Sequence, residues 1–124
     1  MAAILITDDD RTCRDSMQMA LERAGHCVEG ACDVESALRA LAERHFDLIV
    51  CDYRMPGKTG LDLLVQLKQD RSPIPFLMVS AFADAHTEAV ASELGAGVLK
   101  KPFRRRVLLE TVDGAIKQDR TLRL

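Results

Sequence analysis

Five short apolar runs separated by segments of helical periodicity constrain this chain more than any other feature. The runs are Ala3–Thr7, Cys27–Ala31, residues 46–51, residues 74–79 and residues 98–99. The first intervening segment sets Cys13, Met17, Ala20, Leu21 and Ala24 at helical spacing and stops at Gly25. The second opens on Asp33, a favoured N-cap type, and aligns Val34, Ala37, Leu38 and Leu41. Residues 61–68 read as a third helix with Leu61, Leu64, Val65 and Leu67 inward, and residues 84–94 as an alanine-rich fourth. A fifth carries Leu108, Val112, Ala115 and Ile116 on one face. Parallel strands need a crossover element between them, so this alternation implies an α/β fold: a doubly wound, five-stranded parallel sheet with helices on both faces.

No repeat, low-complexity tract or linker breaks the series, so residues 1–118 read as one domain and residues 119–124 as a tail or linker stub. A formal net charge of -2 gives no general reason to bind nucleic acid or anionic membrane, and the basic run Arg104, Arg105 and Arg106 reads as the solvated start of a helix. No apolar stretch reaches the roughly 18 residues of a membrane span and no secretory leader is visible, so the expected setting is cytoplasmic and off the membrane. Cys13, Cys27, Cys32 and Cys51 lack zinc-ligand spacing and are expected to be small core residues, while His26, His45 and His86 stand singly.

In an open parallel sheet all strands end at one edge, where ligands bind. The first run is closed by Asp8, Asp9 and Asp10, the third by Asp52, the fourth by Ser80, and the fifth by Lys100 and Lys101 before Pro102. Carboxylates gathered within a few ångströms repel one another unless a cation compensates, and a hard ion such as Mg2+ binds through one or two of them while sharing positions with phosphate oxygens. A lysine and a hydroxyl aimed at the same place suit an anion as second guest, and an aspartate can be the nucleophile of phosphoryl transfer. Asp10 alone also fits a helix N-cap.

These residues resemble the receiver domain of bacterial two-component response regulators over essentially the whole chain. The resemblance rests on residues 4–10, on residues 51–57 with Gly60, on Val79, Ser80 and Ala81, and on Lys101, Pro102 and Phe103. It implies a flavodoxin-like strand order of 2-1-3-4-5. It implies that Asp52 accepts a phosphoryl group from a sensor histidine kinase or histidine phosphotransfer protein. Mg2+, with Mn2+ as substitute, would be held by Asp9, Asp52 and the Arg54 backbone carbonyl, and by Asp8 largely through water. Lys101 would contact the phosphoryl group and Ser80 would move toward it. The surface of the fourth helix, fifth strand and fifth helix would then change and could support a homodimer, with no direct nucleic-acid contact by this chain. The Lys101-Pro102 bond would be cis. Such a domain catalyses only its own phosphorylation and dephosphorylation. Many receivers carry an aromatic residue where this chain has Val98, so a large aromatic rotation is not available here. Arg54 and Phe82 occupy positions that vary in the family and influence phosphoryl lifetime.

Two other readings share parts of the pattern. Residues 8–12 fit the Asp-x-Asp-x-Thr of haloacid-dehalogenase-like phosphatases, but that reading lacks the later acidic pair at a strand end and leaves the segment after Asp52 unexplained. A flavin binder has the same topology, but needs Gly, Ser and Thr where the loop after the first run is acidic.

Overall fold

The computed structural model describes residues 1–81 and 84–123, with side chains in its last helix as far as Lys117. Its elements are β1 (Ala3–Thr7), α1 (Arg11–Arg23), β2 (Cys27–Ala31), α2 (Val34–Glu43), β3 (Leu48–Asp52), α3 (Gly60–Gln69), β4 (Phe76–Ser80), α4 (Ala85–Glu93), β5 (Gly97–Lys100) and α5 (Arg105–Arg123). All pairings are parallel and the order is β2-β1-β3-β4-β5. The expected doubly wound fold is therefore the observed one. The backbone of α5 remains helical through the boundary drawn at residue 118, and Phe82 lies outside the described residues.

Strand alternation divides the interior into two cores. Ile4, Ile6, Leu48, Val50, Leu77 and Val79 face α1 and α5, where Met17, Leu21, Leu108 and Val112 meet them. Leu5, Ile49, Cys51, Phe76 and Met78 face the other way, onto Ala37 of α2, Leu63 and Leu64 of α3 and Ala91 of α4. The central strands β1, β3 and β4 are almost wholly buried, which is why their sequences run apolar without alternation. The fourth strand starts at Phe76, later than residue 74, because Pro73 and Pro75 bracket Ile74 and prolines donate no ladder hydrogen bond.

Two sequence expectations are corrected. Val65 is exposed, and Leu63 is fully buried in its stead. The inward stripe of α3 is Gly60, Leu63, Leu64 and Leu67, and Val65 lies about 100° of helical rotation beyond Leu64. Of the four cysteines only Cys51 is buried; Cys27 and Cys32 are exposed because the first opens β2, an edge strand, and the second follows its last residue, and Cys13 is intermediate.

Each of the first four helices opens on an oxygen-bearing N-cap. Asp10, Asp33, Thr59 and Asp84 accept backbone N–H bonds from Thr12, Ser36, Asp62 and Thr87 respectively, and Asp62 returns a bond to the Thr59 N–H in a capping box. Three helices close in the same way. After α1, Gly25 N–H bonds Glu22 O and His26 N–H bonds Leu21 O. After α4, Gly95 and Ala96 repeat the pattern onto Ser92 and Ala91. After α3 the left-handed position is filled by Arg71, at φ 57°, with its N–H on Lys68 O and the Ser72 N–H on Leu67 O. A left-handed conformation costs a side-chain-bearing residue energy that glycine avoids.

Arg71→Gly is therefore expected to stabilise the chain by about 0.5 to 1 kcal/mol. Urea unfolding followed by far-ultraviolet circular dichroism measures this, and an unchanged or lower midpoint would contradict it.

Candidate functional site

The strand ends meet as the sequence suggests, and backbone hydrogen bonds tie them together. The Asp8 N–H donates to Ala31 O at 3.0 Å, the Tyr53 N–H to Val79 O at 3.2 Å and the Lys101 N–H to Ser80 O at 3.0 Å. Asp8, Asp9 and Asp52 each present a carboxylate oxygen, and these oxygens lie within 4.8 Å of one another. The three differ in setting: Asp8 is buried, Asp52 half-buried and Asp9 exposed. Asp8 is engaged at both oxygens, taking the Asp10 N–H on Oδ1 at 2.9 Å and the Lys101 ammonium on Oδ2 at 3.0 Å. Asp52 takes the Tyr53 N–H on Oδ1 at 2.9 Å, and its Oδ2 lies 3.6 Å from Lys101 Nζ.

One lysine facing three carboxylates leaves an excess of negative charge. Burial, with a lesser push from Asp8 and Asp9, raises the Asp52 pKa from 3.8 to about 6 despite the opposing pull of Lys101. Burial by itself would lower the lysine, but the bond to Asp8 and the charge of Asp52 outweigh it and hold the ammonium above its ordinary range. The donor set is all oxygen, with one carboxylate exposed to solvent, which fits a hard divalent ion. Cysteine does not compete for the role. Cys51 points to the opposite face from Asp52, donates to the Asp52 carbonyl at 3.2 Å, and is driven well above its usual pKa by burial and then by Asp52 and Asp8. Cys13 is also raised, by burial and then by its bond to Asp10.

The loop after Asp52 is shaped by three residues. Gly57 takes a left-handed φ of 81° after Pro56, and Met55 is buried and anchors the loop in the α2–α4 core. Gly60 permits a close approach: a Cβ there would lie 2.3 Å from the Asp52 carbonyl oxygen, and the Gly60 N–H donates to Tyr53 O at 2.7 Å. Arg54 is exposed within this loop. The Lys101-Pro102 bond is cis, as expected. Ser80 is buried at the end of β4 and shares strand parity with Phe76 and Met78, placing it toward the α4 face. Val98 packs partly buried against the same core. Asp10, read from sequence as either acid or cap, is the cap, and its bonds to the Cys13 thiol and Thr12 N–H lower its pKa.

Beside the acidic cluster a groove of about 480 Å³ runs between α1 and the start of α5, lined by Thr12, Cys13, Ser16, Met17, Lys101 and Phe103. A second cavity, about 520 Å³, lies at the far end of β4 and β5 around Pro73, Phe76, Gly97 and Gly114, remote from the carboxylates. Sequence reading did not single out Met55 or Arg14, whose guanidinium bonds the Asp8 carbonyl at 2.6 Å. Met55 lies within the motif of residues 51–57, but nothing in its type marks it as the loop's anchor, and Arg14 belongs to no motif.

A doubly wound parallel sheet bearing an acidic triad, a lysine and a hydroxyl at its carboxyl edge is the arrangement of a known class of signalling domain. Residues 4–113 match the family model described as the response regulator receiver domain, and the chain belongs to that family. It is 37% identical over 116 residues to the transcriptional regulatory protein FixJ of Bradyrhizobium diazoefficiens, covering 93% of this chain and 57% of that protein. It is 35% identical to the DNA-binding transcriptional regulator NtrC of Azospirillum brasilense, covering 95% of this chain and 25% of that one. The chain thus spans about half or less of these curated relatives. A CheY-like receiver domain protein of Methanospirillum hungatei superposes with a TM-score of 0.92 at 28% identity, covering 98% of both chains. Chemotaxis protein CheY4 of Vibrio cholerae does so at 0.85 and 31% identity, covering 93% of this chain and 98% of that one. No helix among the described residues is long and apolar enough to cross a membrane.

The raised Asp52 pKa has a direct thermodynamic consequence. The folded state binds the Asp52 proton more tightly than the unfolded state, so the carboxyl favours folding below pH 3.8 and this contribution is lost as pH rises through about 6. In metal-free buffer above that range, Asp52→Asn should be more stable than the parent by about 1 to 3 kcal/mol. The gap should close on acidification through the same window. Denaturant titrations at a series of pH values in EDTA measure it; a pH-independent difference would contradict the assignment.

Proposed function

We propose that Asp52 is the phosphoryl acceptor of a cytoplasmic signalling switch, supplied by a sensor histidine kinase or a histidine phosphotransfer protein. The observation that carries this is the placement of Asp52 at the mouth of β3, within 4.8 Å of the Asp8 and Asp9 oxygens and beside Lys101. One Asp52 oxygen is oriented by the Tyr53 N–H, leaving the oxygen on the Lys101 side to attack phosphorus. A P–O bond forms to Asp52 as the P–N bond to the donor imidazole breaks, and the released imidazole takes up a proton. Lys101 neutralises charge on the arriving phosphoryl oxygens, in place of part of its pairing with Asp8. Asp9, Asp52 and the Arg54 carbonyl would hold Mg2+ or Mn2+, with Asp8 in support, and the bound ion supplies positive charge to the same oxygens. The groove between α1 and Phe103 opens beside the acceptor and suits the approach of a donor helix, since it is apolar and ends at Lys101.

Incubation with Mg2+ and a small-molecule phosphodonor, followed by intact-mass measurement, tests the assignment. The parent should gain one phosphoryl group, while Asp52→Asn and Asp9→Ala should gain none. Equal labelling of the parent and Asp52→Asn would refute it.

The output proposed is a shift in the α4, β5 and α5 surface, which could also support a homodimer. Ser80 stands where a hydroxyl drawn to the phosphoryl group would pull on the β4–α4 connection. Only Thr87 and Ala91 of α4 are buried, so this helix holds little apolar area against displacement. Glu88 is paired with Lys100 at 3.2 Å, so Arg104, Arg105 and Arg106, all exposed, would compete with that lysine for it across a dimer. A phosphoryl group moves the equilibrium only by its differential affinity for the two states. With beryllium fluoride bound, amide exchange in α4 should quicken in the parent and change less in Ser80→Ala. Identical responses in the two proteins would rule out Ser80 as the link.

A further inference from the structure

Asp8 is held from four directions, and three of them use groups that the strand-end pattern accounts for. The fourth does not. Arg14, one turn into α1, donates from Nη1 to the Asp8 carbonyl oxygen at 2.6 Å, a short charge-assisted bond. The stem of Arg14 reaches that oxygen by lying across β2 at Gly30. A Cβ on Gly30 would sit 3.2 Å from Arg14 Cδ and 3.3 Å from Gln18 Oε1, both tighter than an ordinary contact, with Arg14 Cγ at an ordinary 3.5 Å. Gly30 is not in a left-handed conformation, so no turn requires glycine there. It pairs with Ile6 within a regular ladder, where a β-branched residue is the usual choice. The missing side chain leaves room for the Arg14 stem, with the Gln18 amide beside it.

The carbonyl that Arg14 holds belongs to the Asp8-Asp9 peptide. That peptide leaves β1 with its preceding N–H already fixed on Ala31 O. Pinning the carbonyl as well fixes the peptide plane and with it the direction from which the exposed Asp9 carboxylate projects. Arg14 does this without taking up any carboxylate oxygen in the described hydrogen bonds and ion pairs, so the ligand atoms stay available, and its own charge, which by itself opposes a nearby cation, is outweighed by the fixing of the peptide. Lys101 cannot do this, because it already sits on Asp8 Oδ2.

We propose that Arg14, seated on Gly30, is a positioning residue that sets the divalent-cation affinity of the acidic cluster through the Asp8-Asp9 peptide. This rests on the reading of Asp8, Asp9 and Asp52 as a divalent-cation site. The probe is Mn2+ alone, titrated by calorimetry, with the amide shift of Asp9 in metal-free protein as a second readout. Arg14→Ala should weaken Mn2+ binding by about tenfold or more. Gly30→Val, which leaves the arginine intact but removes its seat, should produce a loss of similar size and move the Asp9 amide in the same direction. The double variant should be no weaker than Arg14→Ala, since both changes break one linkage. Arg14→Lys, which keeps the charge and one donor, should recover most of the affinity. Arg11→Ala, which removes an equal charge from an exposed residue paired with Asp15, should leave binding unchanged. A parent that binds Mn2+ together with an Arg14→Ala variant of the same affinity overturns this inference alone. So does an Arg11→Ala loss as large as that of Arg14→Ala. A parent that binds no Mn2+ overturns the cation-site reading and this inference with it.

Discussion

Mutual repulsion among Asp8, Asp9 and Asp52 is the constraint on which the rest of this domain depends. Three carboxylates within a few ångströms are tolerable only because the surrounding fold fixes each one differently. Asp8 is buried against Lys101 and the Asp10 N–H, Asp52 is tethered by its own strand and the Tyr53 N–H, and Asp9 is left to water. The sheet supplies the rigidity this requires. Strands buried on both faces deliver the acidic residues to one edge, and inter-strand bonds at Ala31, Val79 and Ser80 prevent the loops from relaxing apart. Stability withheld at the acceptor is thus available to any cation that relieves the charge, which is the physical requirement for a domain that responds to binding.

Much of this was legible in the sequence, for a definite reason. Asp8, Asp9, Asp52, Ser80 and Lys101 each interrupt an apolar run, so strand periodicity and site chemistry point to the same positions. The parallel topology followed from the alternation of runs and helical segments, and Gly25 announced the end of α1. Asp33 did the same for the start of α2.

The remainder failed where sequence pattern carries no directional information. Val65 and Leu63 flank Leu64 in an almost continuous apolar stretch, and only the docking of α3, fixed by the contact of Gly60 with Asp52, decides which faces inward. Arg71 closes α3 in a position that pattern reading assigns to glycine, so the helix end read at residue 68 had no glycine to mark it. Cys27 and Cys32 are apolar by type, but Cys27 opens the edge strand β2 and Cys32 follows it, where burial depends on what covers that edge. Arg14 occupies an ordinary helical surface position, and its partner is a backbone carbonyl, which no residue type marks. Met55 reads as part of a turn, yet its side chain is what ties that turn to the interior.

The division of the interior by the sheet has a further consequence. Among the described residues, the core beneath α1 and α5 and the core beneath α2, α3 and α4 share no side chain, and they are joined through strand backbones and the residues at the strand ends. Packing changes under α1 and packing changes under α4 should therefore combine additively in their effect on stability. In evolutionary terms, the face beside the acceptor can be remodelled for a new partner while the face carrying α4 keeps its own packing, and the reverse holds equally. The domain is modular across its thickness.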